Sequence, residues 1–462
     1  MSEARRRTKA LSVSPVKTSQ TSGAAYAFMG IRGATPLMHG SQGCTAFSKV
    51  FFVRHFREPV PLQTTAMDQV SAVMGADDNL VEAVRVICEK HQPELVGVVT
   101  TGLAEIQGSD LRSGLARFRT EHPECADTAV VLVSSPDFSG CFQSGFALAV
   151  AAMVQALVPP TEGAEVAAPK RVNVLCGAGL TPGDLDFISE SIESFGLEPM
   201  LLPDLGTSLD GHLDDALFSP LTTGGQSVAR VRQMGASRAT LVVGESMAVA
   251  ADLLKQRTGV VDHRFGHLLG LSEVDRWFQT LSRISGQPVG ARWQRQRSQY
   301  LDALLDTHFA LSTARLAVAG DADVLLGLNR LFADVGSEVV AAVVPARSPG
   351  LEGIGRHGLQ VGDLEDLESM ARSERAQLLI TNSHGVESAR RLDLPLLRCG
   401  FPLYDTLGGF RRCWLGYQGS QQALFDAANL VLAEHVEIGA YRSVYEPLGD
   451  SASEPLAAQD RP

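Results

Sequence analysis

Residues 39–47 read HGSQGCTAF, and this segment decides how the rest of the chain is interpreted. Its glycines predict a tight turn, because glycine adopts backbone conformations that other residues avoid. Phe47, Val50 and Phe51 follow at helical spacing. Cys44 then falls in the first turn of a helix, whose partial positive charge favours a thiolate and so favours metal ligation. The alternative is a buried cysteine with a purely structural role.

Short, β-branched apolar runs recur along the chain, and each is followed by a glycine-rich turn and a helical pattern. This alternation is typical of βαβ units built around parallel sheets. The runs are almost continuously apolar, as expected of strands that helices cover on both faces. They lie at residues 95–99, 129–134, 171–175, 240–243, 316–319, 339–344 and 378–381. The sequence therefore predicts an α/β protein with buried parallel sheets.

The length of 462 residues exceeds what one hydrophobic core usually serves, and at about 150 residues per domain it indicates roughly three domains. A stretch rich in Pro, Ala, Gly and Glu at 159–169 indicates the first boundary, and a polar helical segment at 290–313 places the second near residue 300. We expect three Rossmann-like domains, the first carrying Cys44, between a flexible N-terminal arm and a disordered tail. The expected ranges are 1–20 for the arm, 21–165, 166–300 and 301–445 for the domains, and 446–462 for the tail.

Charge and composition exclude several classes of protein. A formal net charge of -12 gives no broad basic footprint for nucleic acid. The most apolar helical stretch, 146–158, is shorter than the about 20 residues that span a bilayer, and the basic leader lacks the apolar core of a secretory signal. Seven cysteines form no paired framework, which fits a reducing compartment. We therefore expect a cytoplasmic protein with neither a nucleic acid nor a membrane as partner.

The remaining cysteines do not form a recognisable cluster motif. Iron-sulfur clusters usually take four thiolates, often from closely spaced cysteines, and this chain has no C-x-x-C. Cys88 lies on the apolar side of a helical pattern and is interpreted as a core residue. Cys125 and Cys176 have no partner nearby in sequence. Cys141, Cys399 and Cys413 lie near glycines in predicted loops, where each could be exposed, although a lone cysteine in a loop usually has no special role. A complete cluster within this one chain is not predicted.

Three further motifs have residue types that could bind a ligand. The Gly-x-Gly at 177–179 follows a strand, but Pro182 stands where a dinucleotide fingerprint needs its third glycine, so Thr181-Pro182 is interpreted as a helix cap. His263 and His267 are four apart and could share a helical face, although their apolar neighbours favour packing. His384 follows a strand and could border a cavity. None is assigned as a ligand, and no catalytic residue is predicted.

Three segments together resemble the first domain of nitrogenase component 1-type proteins: HGSQGCTAF at 39–47, VRHFREP at 53–59 and TTGLAE at 100–105. In the catalytic β subunit of that family, three cysteines of this region bind the P-cluster. Here only the first is present, as Cys44, while Leu62 and Gly102 stand at the other two positions. The resemblance therefore argues against a P-cluster, and the segment 61–69 is similar to the cofactor-assembly branch of the family.

The resemblance covers about 430 residues and implies both fold and function. It implies three Rossmann-like domains, and mainly an assembly scaffold, a subunit for biosynthesis of the nitrogenase iron-molybdenum cofactor; whether the chain also acts as an enzyme is left open. The implied partner is a NifE-like subunit in an α2β2 heterotetramer, which holds a cofactor precursor transiently and shares a [4Fe-4S] cluster with Cys44 as this chain's ligand. NifB and the nitrogenase iron protein are further implied partners. The alternatives are a redox subunit of a nitrogenase-like or protochlorophyllide-reductase-like oxidoreductase and, from Gly177 and Gly179, a nucleotide-binding enzyme.

Overall fold

The computed structural model describes residues 12–433 except 109, 162–167, 213–218, 349–350, 352–353 and 355–357. The tail expected at 446–462 and the first eleven residues of the expected arm lie outside the described residues. Within the described part, the strands form three sheets, and every strand pairing in them is parallel.

The first sheet has the strand order β2-β1-β3-β4. Its strands are β1 (Ala34–His39), β2 (Gln63–Thr64), β3 (Leu95–Thr100) and β4 (Ala129–Val133). Its helices are α1 (Gln20–Phe28), α2 (Gln42–Phe56), α3 (Gln69–Met74), α4 (Asp77–His91), α5 (Gly102–Gln107), α6 (Leu111–Glu121) and α7 (Phe142–Leu157). His39 pairs with Thr100, so β1 and β3 end side by side.

The second sheet has the order β6-β5-β7-β8. Its strands are β5 (Ala168–Cys176), β6 (Glu198–Leu202), β7 (Ser237–Val243) and β8 (Asp262–Phe265). The helices of this part are α8 (Pro182–Glu193), α9 (Val228–Val231), α10 (Ala248–Thr258), α11 (Gly270–Ser285) and α12 (Ala291–Leu311).

The third sheet has the order β11-β10-β9-β12-β13. Its strands are β9 (Arg315–Ala319), β10 (Glu338–Val344), β11 (Gln360–Val361), β12 (Leu378–Thr381) and β13 (Leu396–Arg398). Its helices are α13 (Ala322–Ala333), α14 (Leu364–Ser373), α15 (Val386–Leu392) and α16 (Gly416–Ala433). The predicted α/β class with parallel sheets is confirmed. Each sheet falls within one predicted domain, while the domain boundaries themselves stay predictions.

One buried apolar cluster runs through all three sheets and includes Met38, Leu241 and Leu316. Close helix packing contributes to it, because α1 and α7 meet where both lack side chains. A Cβ on Gly23 would lie 1.8 Å from the carbonyl oxygen of Phe142, and one on Gly145 would lie 1.8 Å from that of Gln20. One apolar core is therefore continuous across the three sheets, and smaller separate clusters accompany it.

The expectation of a flexible arm over residues 1–20 is wrong from residue 12 onward. Val16 is buried in an apolar cluster with Leu364 and Leu367 of the third sheet's α14. The Leu364 N–H donates to the Ser14 carbonyl at 2.8 Å, and Lys17 Nζ donates to the Asp137 carbonyl at 2.7 Å. The composition of the leader could not show this, because its packing partners lie more than 100 residues away in sequence.

None of the helices in the described ranges is both long enough and apolar enough to cross a membrane.

Candidate functional site

Cys44 lies in the first turn of α2, at the carboxyl edge of the first sheet. β1 ends at His39, and α2 begins at Gln42 after the extended residue Ser41. The Cys44 Sγ is 3.3 Å from the Ser41 Oγ, and the cysteine is half-buried. A Cβ on Gly43 would meet no described atom within 4 Å, so there is open space beside the thiol's own turn. The helix start that the sequence predicted around Cys44 is present.

Hydrogen bonds to the neighbouring strands fix the loop that precedes Cys44. The Gly40 N–H donates to Thr65 Oγ1 at 3.2 Å, and its carbonyl accepts from the Met67 N–H at 2.9 Å. The Thr101 N–H donates to the His39 carbonyl at 3.1 Å. A Cβ on Gly40 would lie 2.2 Å from Thr101 Oγ1. Any residue larger than glycine would therefore require a rearrangement at this position. The ends of β2 and β3 therefore hold the Cys44 loop in place.

His39 supports this loop as a neutral side chain. It is fully buried, and its Nδ1 is 3.1 Å from Thr65 Oγ1. Burial lowers the pKa of His39 to about 4, although the charge of Asp77 acts in the opposite direction. Its Nε2 has no hydrogen-bond partner among the described residues. At neutral pH the ring carries no charge, since its pKa lies well below 7.

The two positions that align with the missing cluster cysteines have different environments. Leu62 is 1% exposed and belongs to the main apolar core beside Val60. Gly102 begins α5 at the same sheet edge as Cys44, and a Cβ there would lie 3.7 Å from the Phe138 ring. Leu62 is therefore a core residue, whereas Gly102 is half-buried at the sheet edge where Cys44 lies.

Exposed apolar side chains surround this edge of the first sheet. They come from α2, from α3 and α5, which pack against each other, and from the loop after β4. We call this set the Cys44 surface; it consists of Phe47, Val50, Val70, Val73, Met74, Leu103, Ile106 and Phe138. Phe47 and Val73 are 67% and 82% exposed. Exposed apolar side chains grouped at one sheet edge are typical of a place where another molecule binds.

Five of the other cysteines are held mainly in the thiol form. Burial raises the pKa of Cys88 to about 11 and that of Cys141 and Cys399 to about 12, and it also raises the pKa of Cys176 and Cys413. The core position predicted for Cys88 is confirmed, because it packs with Leu80, Val84 and Ile87. Within the described ranges, no three His, Cys, Asp or Glu side chains come together as a metal site.

The three histidines that the sequence singled out are explained by packing and burial. His263 lies in strand β8 and His267 follows that strand, so the helical face considered for the pair does not exist. Burial lowers the pKa of both rings, that of His267 to about 4. His384 packs between the rings of Phe51 and Tyr404, at centroid distances of 5.6 and 5.9 Å. Each is accounted for by packing.

A second site lies between the second and third sheets. The glycines at 177–179 follow β5 and line a cleft that encloses about 980 Å³ of empty space, part of it open to solvent. The predicted cap is confirmed, since Thr181 caps α8 with Pro182 in its first turn. Sequence reasoning missed Asp321 and Asp323, which also line this cleft. Their signal was available, because both follow the predicted strand at 316–319, and ligands often bind at strand carboxyl ends.

Known proteins that are similar to this chain are related to nitrogenase. The family model described as "Nitrogenase component 1 type Oxidoreductase" matches residues 19–432. Two proteins named "Nitrogenase iron-molybdenum cofactor biosynthesis protein NifN" come from Bradyrhizobium diazoefficiens and Klebsiella pneumoniae. The first is 44% identical over 93% of this chain and 92% of its own length, and the second is 40% identical over 96% of both. The solved structure "Nitrogenase Cp1 at pH 6.5" has a TM-score of 0.87 at 27% identity, and the match covers 95% of this chain and 97% of that one.

Proposed function

This chain belongs to the nitrogenase component 1 type oxidoreductase family, and from that premise we propose that it is a scaffold subunit for biosynthesis of the nitrogenase iron-molybdenum cofactor. The resemblance inferred from the sequence is thereby confirmed. In the proposed role, the chain pairs with a NifE-like subunit in an α2β2 heterotetramer. The complex holds a cofactor precursor transiently, receives it with the help of NifB and works with the nitrogenase iron protein.

The observation that carries this proposal is the half-buried Cys44 thiol on an exposed apolar surface. A [4Fe-4S] cluster usually takes four thiolates, and the residues described here offer no second cysteine in a common metal site with Cys44. The Cys44 surface is apolar enough to bind a partner subunit. We therefore assign Cys44 as one ligand of a cluster whose other three thiolates come from that partner.

The surroundings of Cys44 suit a cysteine that supplies one of the four ligands of such a cluster. The first turn of α2 contributes positive potential, and the space beside Gly43 is open. When Cys44 is a thiolate it can only accept a hydrogen bond, so the Ser41 hydroxyl at 3.3 Å is then the donor. Hydrogen bonds to ligand sulfurs tune the reduction potential of iron-sulfur clusters, which act as electron-transfer centres. Ser41 would thus orient the Cys44 thiolate toward the cluster.

The test compares two matched cysteine variants in the complex with a NifE-like subunit, purified without oxygen. Cys413 serves as the control because it is the other half-buried cysteine in the described residues. We expect Cys44→Ala to lose the iron of the shared cluster and its reduced-state paramagnetic signal, while Cys413→Ala keeps both. Circular dichroism and co-purification of the partner report on folding and assembly. Full iron content and an unchanged signal in the Cys44→Ala complex would disprove the assignment.

A further inference from the structure

The cleft between the second and third sheets is built from the carboxyl ends of their strands. Gly177 follows β5, Gly244 follows β7 and Gly266 follows β8, while Asp321 follows β9 and Gly400 follows β13. Such convergence of strand ends is where α/β proteins bind small ligands. None of these residues belongs to the Cys44 surface.

One wall of the cleft is aromatic. Tyr26, Phe401, Phe410 and Trp414 line it together with several leucines. The wall is rigid, since Tyr26 contacts the rings of α2 and α7, and Phe401 stacks on Phe142 at a centroid distance of 4.4 Å with an interplanar angle of 11°. Preformed aromatic faces suit an apolar ligand, and they also attract a cation.

The cleft is also lined by two carboxyl groups that differ in their hydrogen bonding. Asp323 accepts hydrogen bonds from the backbone N–H and hydroxyl of Ser246. Asp321 occupies the N-cap position of α13, yet within the described residues its side chain makes no capping hydrogen bond. The Cys141 thiol is a hydrogen-bonding neighbour of Asp321. The Asp321 carboxyl therefore retains acceptor capacity toward the cleft.

The charge of the lining disfavours anions. Three carboxyl groups line the cleft, those of Asp184, Asp321 and Asp323, and the described residues of the lining include no lysine or arginine. Burial lowers the pKa of the two lining histidines, His55 to about 3 and His267 to about 4, so neither supplies a positive charge near neutrality.

The position of Asp323 argues against a nucleotide at the glycine loop of residues 177–179. A Cβ on Gly244 would lie 2.6 Å from Asp323 Oδ2, and one on Gly177 would lie 3.3 Å from it. The Asp323 carboxylate thus lies directly against the glycines that a phosphate would need to approach. A phosphate there would meet a like charge in a partly dry cleft, where repulsion is stronger than in water.

We propose that this cleft binds a small apolar molecule that bears a primary ammonium group, recognised by Asp321 and by the aromatic wall. The ammonium donates a charge-assisted hydrogen bond to the Asp321 carboxylate, and the apolar body lies against Phe401 and Phe410. Burial, together with the charge of Asp323, raises the pKa of Asp321 to about 7. A bound cation relieves that penalty, because it stabilises the ionised carboxylate.

The experiment titrates the full chain with two probes of similar size and opposite charge, 2-phenylethylamine and 3-phenylpropanoate, at pH 8 by calorimetry. We expect the amine to bind at least tenfold more tightly than the carboxylate. Asp321→Asn should weaken amine binding about tenfold, while Asp252→Asn, which changes an exposed carboxyl paired with Arg264, should leave it unchanged. Equal binding of both probes, or full affinity in Asp321→Asn, would overturn the proposal.

A second variant keeps the test valid if Asp321→Asn does not fold. Phe410 lies at the rim of the cleft and is 9% exposed. Phe410→Leu keeps the apolar volume but removes an aromatic face, so amine affinity should fall about threefold. Retention of full affinity in this folded variant would count against recognition by the aromatic wall. Neither variant touches Cys44, so the iron content of the complex separates failure of this proposal from failure of the proposed function.

Discussion

Replacing Phe47 by alanine should weaken binding of the NifE-like partner without unfolding the chain. Phe47 is 67% exposed, and its main ring contact within the chain is an edge-to-face contact with Phe51 at 5.0 Å. Removing an exposed side chain of this kind usually changes folding stability by no more than about 0.5 kcal/mol. The effect should therefore be seen in association and not in the melting temperature.

The magnitude follows from the area that Phe47 offers to a partner. A phenylalanine presents about 200 Å² of surface, so 67% exposure leaves roughly 130 Å² free for contact. Alanine keeps roughly a third of that area, so the change removes about 90 Å² of apolar contact. At about 25 cal/mol per Å² this is about 2 kcal/mol, or a roughly 30-fold rise in Kd.

Affinity should be measured between the purified subunits under anaerobic conditions, by calorimetry or biolayer interferometry. Phe309 gives a matched control, since it is 92% exposed on α12, which lies outside the first sheet and its helices. Phe309→Ala should leave the Kd of the heterodimer unchanged. A Phe47→Ala Kd within threefold of the parent, or an equal loss in Phe309→Ala, would refute the assignment of the Cys44 surface as the interface.

Three further predictions concern iron, the missing cysteines and pH. The chain purified without its partner should hold well under four irons per polypeptide, because a cluster needs more thiolates than Cys44 provides; stoichiometric iron in colorimetric analysis would contradict this. Leu62→Cys combined with Gly102→Cys should not produce an eight-iron cluster in the complex, since position 62 is buried in the core; Mössbauer spectra showing such a cluster would argue otherwise. The pKa of Asp321 in the folded chain is about 7, above its ordinary value near 4, so the folded state keeps a proton that the unfolded state has lost. The free energy of unfolding should consequently fall as pH rises from about 4 to about 7. When it is measured by urea denaturation, it should depend less on pH in Asp321→Asn than in the parent chain. The same pH dependence in both proteins would mean that Asp321 is not responsible.

Local patterns predicted several elements correctly. The runs at 95–99 and 316–319 became β3 and β9, because strands buried on both faces must be apolar at every position. The helix start at Cys44 and the Thr181-Pro182 cap were also predicted from neighbouring residues alone. In contrast, His263 and His267 were candidates for one helical face, but His263 lies in a strand. A spacing of four residues alone does not distinguish a helix from the end of a strand.

The candidate sites were predictable to very different degrees. Cys44 could be named because its glycine-rich turn and its family motif lie within nine consecutive residues. The Cys44 surface could not, since whether Phe47 or Ile106 is exposed depends on which helices pack over them. The cleft was hidden for a similar reason: Tyr26, Asp321 and Phe401 belong to three distant parts of the chain that meet only after the sheets pack.

The sequence by itself determined the α/β class, the parallel strands, the family and the single cysteine at the start of α2. These depend on periodicity, turn chemistry and short motifs, which act between residues a few positions apart. The tertiary structure alone decided that residues 12–20 dock on distant parts of the fold, that position 62 is a core site, and that acidic and aromatic side chains line one cleft. Those outcomes depend on burial and on charges brought together over hundreds of residues, because desolvation is a property of the packed chain and not of its local pattern.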